Sequence, residues 1–462
     1  MAGRGPMTAR RVALGVLDQF NPDRGDSRRI LHRVIDRTDR KAHATDLVFG
    51  VIRNRNTIDM IIARSGGAPI ERIAGRIVNI LRIGVYELIY VPTTGDYAVV
   101  NEAVNLAHVV AGKKQSGFVN AVLRNVGGAI TRRAAPLRTA GAQNTLPHSP
   151  THGCQFDMPV LSNPQTDPAA WLAEAFSLPQ WLTGEWLDEF GFEKSKQICF
   201  ASNRRPGLYI QPNTLKISLE SLAKKFADAE IEFEIVAGET MLRIRSRRAI
   251  ASAPGFSEGL FIVQDPTAAG VAKILSPQPG QNILDLCAAP GGKAVGMAQL
   301  MGGRGSIVAS DIDSERLKMV CDNCARLGIT IIDPVAWDKL SDVIAQVRRW
   351  DAVVVDVPCS NTGVMAKRPE VRFRITPRAI RSLVETQRRL LDRAAGIVGG
   401  GGKICYSTCS IQRAENAALV RAFLKDHPNF KLDYEKLTLP FVLADQSFDY
   451  DGGFTAILTR RQ

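Results

Sequence analysis

The sequence predicts a multidomain chain with an all-α domain over residues 1–133, an irregular linker over 134–170, a small α/β subdomain over 171–260 and a larger C-terminal α/β domain over 261–462. Three observations carry this division. Apolar residues recur at helical spacing through residues 8–130. Residues 134–170 then hold six prolines, many polar side chains and no sustained period. From Phe261 onward, apolar runs at 283–286, 306–310, 352–357 and 403–407 alternate with helix-length segments, the pattern of an open, mostly parallel sheet with helices on both faces.

Within the first block, Val12, Val16, Leu17 and Phe20 mark one helical stripe, Leu47, Val48, Val51 and Ile52 a second, and Val99, Val100, Ala103, Val104 and Ala107 a third. After the linker an amphipathic stretch begins at Trp171 and runs toward Asn203-Arg204-Arg205-Pro206. Beyond it the strand-like Leu208–Ile210, the helix-like Leu219–Phe226, and the strand-like Ile231–Ile235 and Met241–Ile244 suit a short sheet with a helix against it.

At 462 residues the chain is long enough for two or three domains, each with its own core. Its formal charge of +13 favours a polyanionic partner, and the charge is unevenly placed. Residues 1–133 hold 21 Lys plus Arg against 11 Asp plus Glu, whereas the remainder holds 38 against 35. A basic helical module ahead of a nearly balanced one suits delivery of nucleic acid to a catalytic domain. Eight cysteines are too few for a disulfide scaffold in a chain of this size and point to a reducing compartment. Cys321-Asp322-Asn323-Cys324 lies in a helix-like stretch with no second pair to complete a metal site, so no metal is expected. Met1 to Arg11 has no apolar core of signal-peptide length, and no apolar run spans a bilayer; a soluble cytoplasmic protein, without membrane contact and monomeric, is the expectation.

The chemistry falls at predicted strand ends. Asp285-Leu286-Cys287-Ala288-Ala289-Pro290-Gly291-Gly292-Lys293 follows the first strand, where glycines admit a ligand close to the backbone and a helix start offers free amide donors. Asp311 ends the next strand, where a carboxylate can accept from two ribose hydroxyls, and Asp338 follows the third, near the place of an adenine; helix capping is the competing role for both. The fourth strand ends in Asp356-Val357-Pro358-Cys359-Ser360 and the fifth in Ser407-Thr408-Cys409-Ser410. Methylation of an amino group usually uses an acidic or amide residue followed by two prolines and an aromatic ring. Here a thiol stands at that turn. Carbon 5 of cytosine is a poor nucleophile until a thiolate adds to carbon 6, so cysteines beside a cofactor turn suit carbon methylation through a covalent adduct. Asp356 can bind the ring nitrogen and exocyclic amine, and Lys293 can assist through its charge. Sequence chemistry does not choose which thiol attacks.

These motifs resemble the RNA 5-methylcytosine methyltransferases of the NOL1/NOP2/Sun type. Val263-Gln264-Asp265-Pro266-Thr267, Glu415-Asn416 and Asp451-Gly452-Gly453-Phe454 agree with the family pattern. Asp39-Arg40-Lys41-Ala42, Asp46–Val51, Leu81–Leu88, Val100–Val104 and Phe118–Arg124 resemble a NusB-like RNA-binding domain, the arrangement of the bacterial RsmB/Sun group. The resemblance implies a Rossmann-like catalytic domain and S-adenosylmethionine as cofactor, bound by residues 287–293 (Cys287, Ala288, Ala289, Pro290, Gly291, Gly292 and Lys293) with Asp311, Asp338 and Asp356. It implies an S-adenosylmethionine-dependent RNA (cytosine-5-)-methyltransferase acting on small-subunit ribosomal RNA, with Cys409 as nucleophile and Cys359 resolving the adduct. Family patterns usually have Ala where Val357 stands and an aromatic residue where Gly453 stands.

Two other readings compete. The N-terminal module alone suits a non-catalytic RNA-binding or antitermination factor, against which the intact cysteine pair argues. A Rossmann sheet suits a nicotinamide-dependent oxidoreductase, against which the missing G-x-G-x-x-G argues. Basic residues Arg10, Arg11, Arg28, Arg29, Lys113 and Lys114, and the run Ala366–Arg374 with Phe373 among its cations, are the expected RNA contacts.

Overall fold

The computed structural model describes residues 7–24, 27–67, 69–138, 141–236, 238, 240–246 and 250–462. They form two compact units: Met1–Arg205 with Met365–Arg374 and Val442–Phe448, and Pro206–Val364 with Ile375–Phe441 and Asp449–Gln462.

The first unit opens with six helices, α1 (Ala9–Gln19), α2 (Ser27–Val34), α3 (Lys41–Arg53), α4 (Arg55–Gly66), α5 (Gly75–Tyr90) and α6 (Asp96–Ala129). Thr8 caps α1 by accepting from Arg11 N. Helix α5 is buried on every side from Ile77 to Ile89, as its largely apolar sequence dictates, and forms the axis of the bundle. Neighbours approach so closely that a Cβ at Gly50 would lie 2.0 Å from the Tyr86 ring, and one at Gly84 would lie 2.8 Å from Leu123. Helix α6 breaks its helical backbone at Gly112, where φ is 84°.

Residues 134–170 are not the irregular linker that their composition suggests. Three strands, β1 (Ile130–Pro136), β2 (Thr145–Pro147) and β3 (His152–Phe156), pair antiparallel in the order β1-β3-β2. Pro136 and Pro147 stand at strand ends, and both strands lie at sheet edges, where a missing N–H costs no ladder bond. Helices α7 (Pro168–Phe176) and α8 (Gln180–Asn203) follow, and in space residues 171–205 cluster with this unit rather than with the small α/β sheet. The run 366–374 also belongs here. Arg372 is 2% exposed and donates to the carbonyls of Pro369, Arg53, Phe176 and Ser202 and to Asn203 Oδ1. Phe373 meets Phe20 edge-on and lies under Arg55. Much of the expected RNA-contacting run is therefore interior. Arg10 is likewise engaged, forked onto Glu87 at 2.8 Å.

The second unit starts with β4 (Leu208–Pro212), α9 (Leu219–Asp228), β5 (Phe233–Val236), β6 (Met241–Ile244) and β7 (Phe261–Val263). The strands form an antiparallel sheet in the order β5-β6-β4-β7, against which α9 lays Leu222 and Phe226. There follow α10 (Pro266–Leu275), β8 (Asn282–Asp285), α11 (Gly292–Leu300), β9 (Ser306–Asp311), α12 (Ser314–Leu327), β10 (Ile332–Ala336), α13 (Leu340–Gln346) and β11 (Ala352–Asp356). After α14 (Val371–Arg374), which lies in the first unit, the chain continues through α15 (Pro377–Ile397), β12 (Lys403–Thr408), α16 (Ala417–Asp426), β13 (Phe430–Thr438), β14 (Phe441–Val442), β15 (Asp449–Tyr450) and β16 (Gly453–Arg460).

Seven strands make the large sheet in the order β10-β9-β8-β11-β12-β16-β13, parallel from β10 to β12 and antiparallel at β16. The four expected apolar runs are β8, β9, β11 and β12. Cores on the two faces are built around Val295, Met297 and Val320, and around Leu391, Val420 and Phe423. The chain winds outward from β8 through β9 to β10 and then returns to β11. The direction of winding therefore reverses between β8 and β11, and a crevice opens beyond their carboxyl ends.

Candidate active site

That crevice is lined by the ends of β8, β9, β11 and β12. The turn from Leu286 to Gly291 joins β8 to α11, with Gly291 at φ 100° before the first helical residue. Ala288 N donates to Ser310 O at 2.9 Å, Arg316 donates to Ala289 O at 2.7 Å and Asn323 to Pro290 O at 3.0 Å, so β9 and α12 hold the turn in place. A Cβ at Gly292 would come within 3.1 Å of Gln264 Nε2. Asp311, 3% exposed, accepts from Asp313 N at 3.1 Å and from Ala289 N at 3.3 Å. It thus braces the turn from the end of β9. Asp338 is exposed in the turn after β10.

Asp285 is fully buried at the end of β8, and neither carboxylate oxygen has a hydrogen-bond partner among the described residues. Burial, reinforced by the negative charge of Asp356, pushes its pKa up to about 7, against the pull of Lys293. Lys293 Nζ lies 2.6 Å from Asp356 Oδ2. Burial disfavours the ammonium, but the charge and hydrogen bond of Asp356 outweigh it and hold the Lys293 pKa above its ordinary value.

Parallel pairing of β11 with β12 places Asp356 beside Ser407, and both cysteine turns therefore leave the sheet at the same edge. Cys359 Sγ and Cys409 Sγ lie 3.1 Å apart. Cys409 Sγ is also 3.2 Å from Asn361 Oδ1, while Asn361 Nδ2 donates to Cys359 O at 2.7 Å. Asn361 holds this bridge from the left-handed region, at φ 61°. The hydrogen bond to Cys409, followed by burial, keeps the Cys359 thiol well above its ordinary pKa.

Under the thiols sits Glu415, 0% exposed. Its Oε1 accepts from Ser360 N at 2.8 Å and Gln387 Nε2 at 2.9 Å, and its Oε2 from Ser360 Oγ and Ser410 Oγ, both at 2.5 Å. One carboxylate thereby ties the Cys359 turn to the Cys409 turn. Gln387, from α15, adds a bond to Pro358 O at 3.0 Å, and Gly363 N donates to Cys409 O at 3.0 Å.

Comparison with known proteins agrees with this layout. Residues 272–447 match the family model described as 16S rRNA methyltransferase RsmB/F, residues 7–127 the NusB family, and residues 178–251 the ferredoxin-like domain of RsmF/B-like methyltransferases. A probable ribosomal RNA small subunit methyltransferase B from Synechocystis sp. is 33% identical over 442 residues, covering 94% of this chain and 93% of that protein. The chain belongs to the RsmB/F methyltransferase family. A Bacillus subtilis protein of the same description is 29% identical and covers 92% of this chain and 90% of its own. The crystal structure of PH0851 superposes with a TM-score of 0.72 at 23% identity, covering 99% of this chain and 100% of that one, and shares the fold.

In this RsmB/F chain the structure brings Lys293, Asp356, Cys359 and Cys409 together at adjacent strand ends, with residues 287–292 and Asp311 alongside. The sequence patterns assigned no role to Asp285, Asn361, Gln387 and Glu415. Asp285 and Glu415 lie inside motifs named above, and a carboxylate at the end of a buried strand or six residues beyond a reactive cysteine is the available signal. No helix among the described residues is long and apolar enough to cross a membrane, and no group of three metal-ligating side chains occurs among them.

Proposed function

We propose that the protein transfers a methyl group from S-adenosylmethionine to carbon 5 of a cytosine in small-subunit ribosomal RNA, in the cytoplasm, through a covalent adduct with Cys409. The observation that carries this reading is the pair of thiols 3.1 Å apart beside the Lys293–Asp356 pair. Two relatives named as probable small-subunit ribosomal RNA methyltransferases support the choice of substrate.

The cofactor fits the crevice by its chemistry. S-adenosylmethionine, when bound, supplies an electrophilic methyl group on a cationic sulfur. Residues 287–292 would form its cradle, Asp311 would meet the ribose, and the Asp285 carboxylate, without a hydrogen-bond donor, suits a neighbour of positive charge. Asp338 is retained as an adenine contact only through its place after the third strand.

Cys409, as thiolate, adds to carbon 6 of the ring, and the electron pair displaced from the 5,6 double bond makes carbon 5 nucleophilic. Asp356, held by Lys293, hydrogen-bonds the ring edge where charge develops. After methyl transfer the carbon 5 proton leaves to a base, the electron pair restores the double bond, and the carbon 6–sulfur bond breaks to release Cys409. In the free protein the hydrogen bond to Cys409, followed by burial, holds the Cys359 thiol well above its ordinary pKa. Conversion of Cys409 to a thioether removes that cause. Cys359 is then easier to ionise just when a base is needed, which matches a role in resolving the adduct.

Incubation of the protein with labelled S-adenosylmethionine and undermodified small subunits or their RNA, followed by digestion to nucleosides, tests the reading. Label in 5-methylcytidine is the expected result. Label in an N-methylated nucleoside, or none in RNA, overturns it.

A further inference from the structure

The sheet formed by residues 130–156 borders two cavities in the first unit. One, of about 420 Å³, has Arg53, Arg204 and Arg205 on one side and Pro147, His148 and His152 on the other. The second, of about 480 Å³, shares Pro147, Pro150 and Phe200 with the first and adds Arg132, Arg138 and Lys196. Among the described residues no Asp or Glu lines either cavity. Both volumes fall in the range of roughly 300–1,000 Å³ typical of built ligand sites.

The arginines are positioned at a cost. Arg53 is 6% exposed and donates to Ala366 O, at 3.1 and 3.3 Å, so it is a buried cation that forms no ion pair among the described residues. Such a group is stabilised by an anion that enters beside it. Arg205 is held out by Asp46 at 2.7 Å, and Arg132 and Arg138 are exposed. Phe200, half-buried, lines both cavities. Cations spaced along two adjoining cavities, with the Phe200 ring at both and Asp46 the one carboxylate paired with them, on Arg205, match the repeating phosphates and bases of a single strand rather than one compact anion. The residues 128–177 that fall between the two matched family ranges 7–127 and 178–251 supply one wall.

We propose that these two cavities form a binding groove for a single-stranded segment of the RNA substrate, with Arg53, Arg205 and Arg138 on its phosphates and Phe200 against a base. This rests on RNA being the substrate. The groove gives the 130–156 sheet a task that the NusB-like helices alone do not perform: it holds RNA sequence outside the target nucleotide.

The test uses the full-length protein and a labelled single-stranded RNA of about 12 nucleotides, within the site sizes of such grooves. Dissociation constants are measured across a salt series. Arg205→Gln with Arg138→Gln should lower the slope of log K against log salt by roughly 1.4, about 0.7 for each phosphate no longer neutralised. Arg205→Lys with Arg138→Lys should keep the slope, and so should Arg421→Gln, an exposed arginine of the second unit. Ultraviolet crosslinking of wild-type protein should tag peptides containing Phe200 or residues 145–156. Unchanged slope in the double Gln variant, or crosslinks that all fall elsewhere, overturns the groove. Displacement of the RNA by inorganic phosphate at equal phosphate concentration also overturns it, since that marks a generic anion site. Wild-type protein that binds no RNA defeats the reading of the substrate as well as the groove, whereas RNA binding with an unchanged slope defeats the groove alone.

Discussion

Arg372 in the first unit and Glu415 in the second are both buried charges, 2% and 0% exposed, and neither forms an ion pair among the described residues. Arg372 spends its donors on four backbone carbonyls and one amide oxygen. Glu415 takes its four bonds from one backbone N–H, two hydroxyls and one amide. In each case neutral dipoles replace the water that the charge lost, and the charge fastens a chain segment that is remote in sequence. The first clamps the Met365–Arg374 run to the helical unit, and the second clamps the two cysteine turns to each other. What differs is the residual demand around them. Among the described residues the first unit leaves Arg53 without an ion pair, whereas the second leaves Asp285 without a hydrogen-bond donor.

Removing a clamp should give the largest effects. Glu415→Ala removes the acceptor of four buried hydrogen bonds and should destabilise the second unit by roughly 3 kcal/mol, with loss of methylation even where the fold survives. Glu415→Gln keeps one acceptor and the volume, so urea melts should order the proteins wild type, Gln, Ala. Equal melting midpoints for all three would show that Glu415 is no clamp.

Lys293→Met tests the positive side of the crevice. It leaves Asp356 half-buried without its cation, and labelled methyl transfer should fall far more than cofactor affinity does. If affinity falls and the turnover of bound cofactor is unchanged, Lys293 serves binding instead.

Asp285 sharpens the contrast through pH. Its folded pKa of about 7 lies above the ordinary 3.8, so folding takes up a proton between those values. Its contribution to stability is present below the lower pKa and is lost as pH rises through the upper one. Asp285→Asn should therefore lose less stability than wild type between about pH 4 and 7, and thermal melts across that range measure it. Parallel curves for the two proteins would contradict the raised pKa.

Smaller effects are expected at the ribose end. Asp311→Ala should weaken S-adenosylmethionine by roughly 1–3 kcal/mol, the cost of a lost buried hydrogen-bonding partner. The exposed Asp338→Ala should do less, and calorimetry that ranked the two in the opposite order would reassign the adenine and ribose ends.

Much of the large sheet is legible in the sequence because fully buried parallel strands are apolar without alternation. Val353, Val354 and Val355 announce β11, and reactive residues follow such runs directly, so the sequence alone sets Cys359 and Cys409 at strand ends. The strand β13 is hidden by its polar alternation as an edge strand, and β1 to β3 by prolines at tolerated positions. Glu415 is harder still. Its partners Ser360 and Gln387 lie 55 and 28 residues away, and only the register of β11 against β12 brings the two cysteine turns to it. Arg372 misleads for the same reason. A cation in a basic run looks solvated until a distant helix end, here Phe176 and residues 202 and 203, supplies the carbonyls that bury it.

The central claim is that two touching thiols act on opposite sides of one methyl transfer, and denaturing gel electrophoresis with labelled substrate RNA tests it most directly. Cys359→Ala should form the adduct and fail to resolve it, leaving a protein–RNA conjugate that survives denaturation. Cys409→Ala should form none and should not methylate. A conjugate from Cys409→Ala with none from Cys359→Ala would reverse the two roles, and the absence of a conjugate from both would contradict the covalent mechanism.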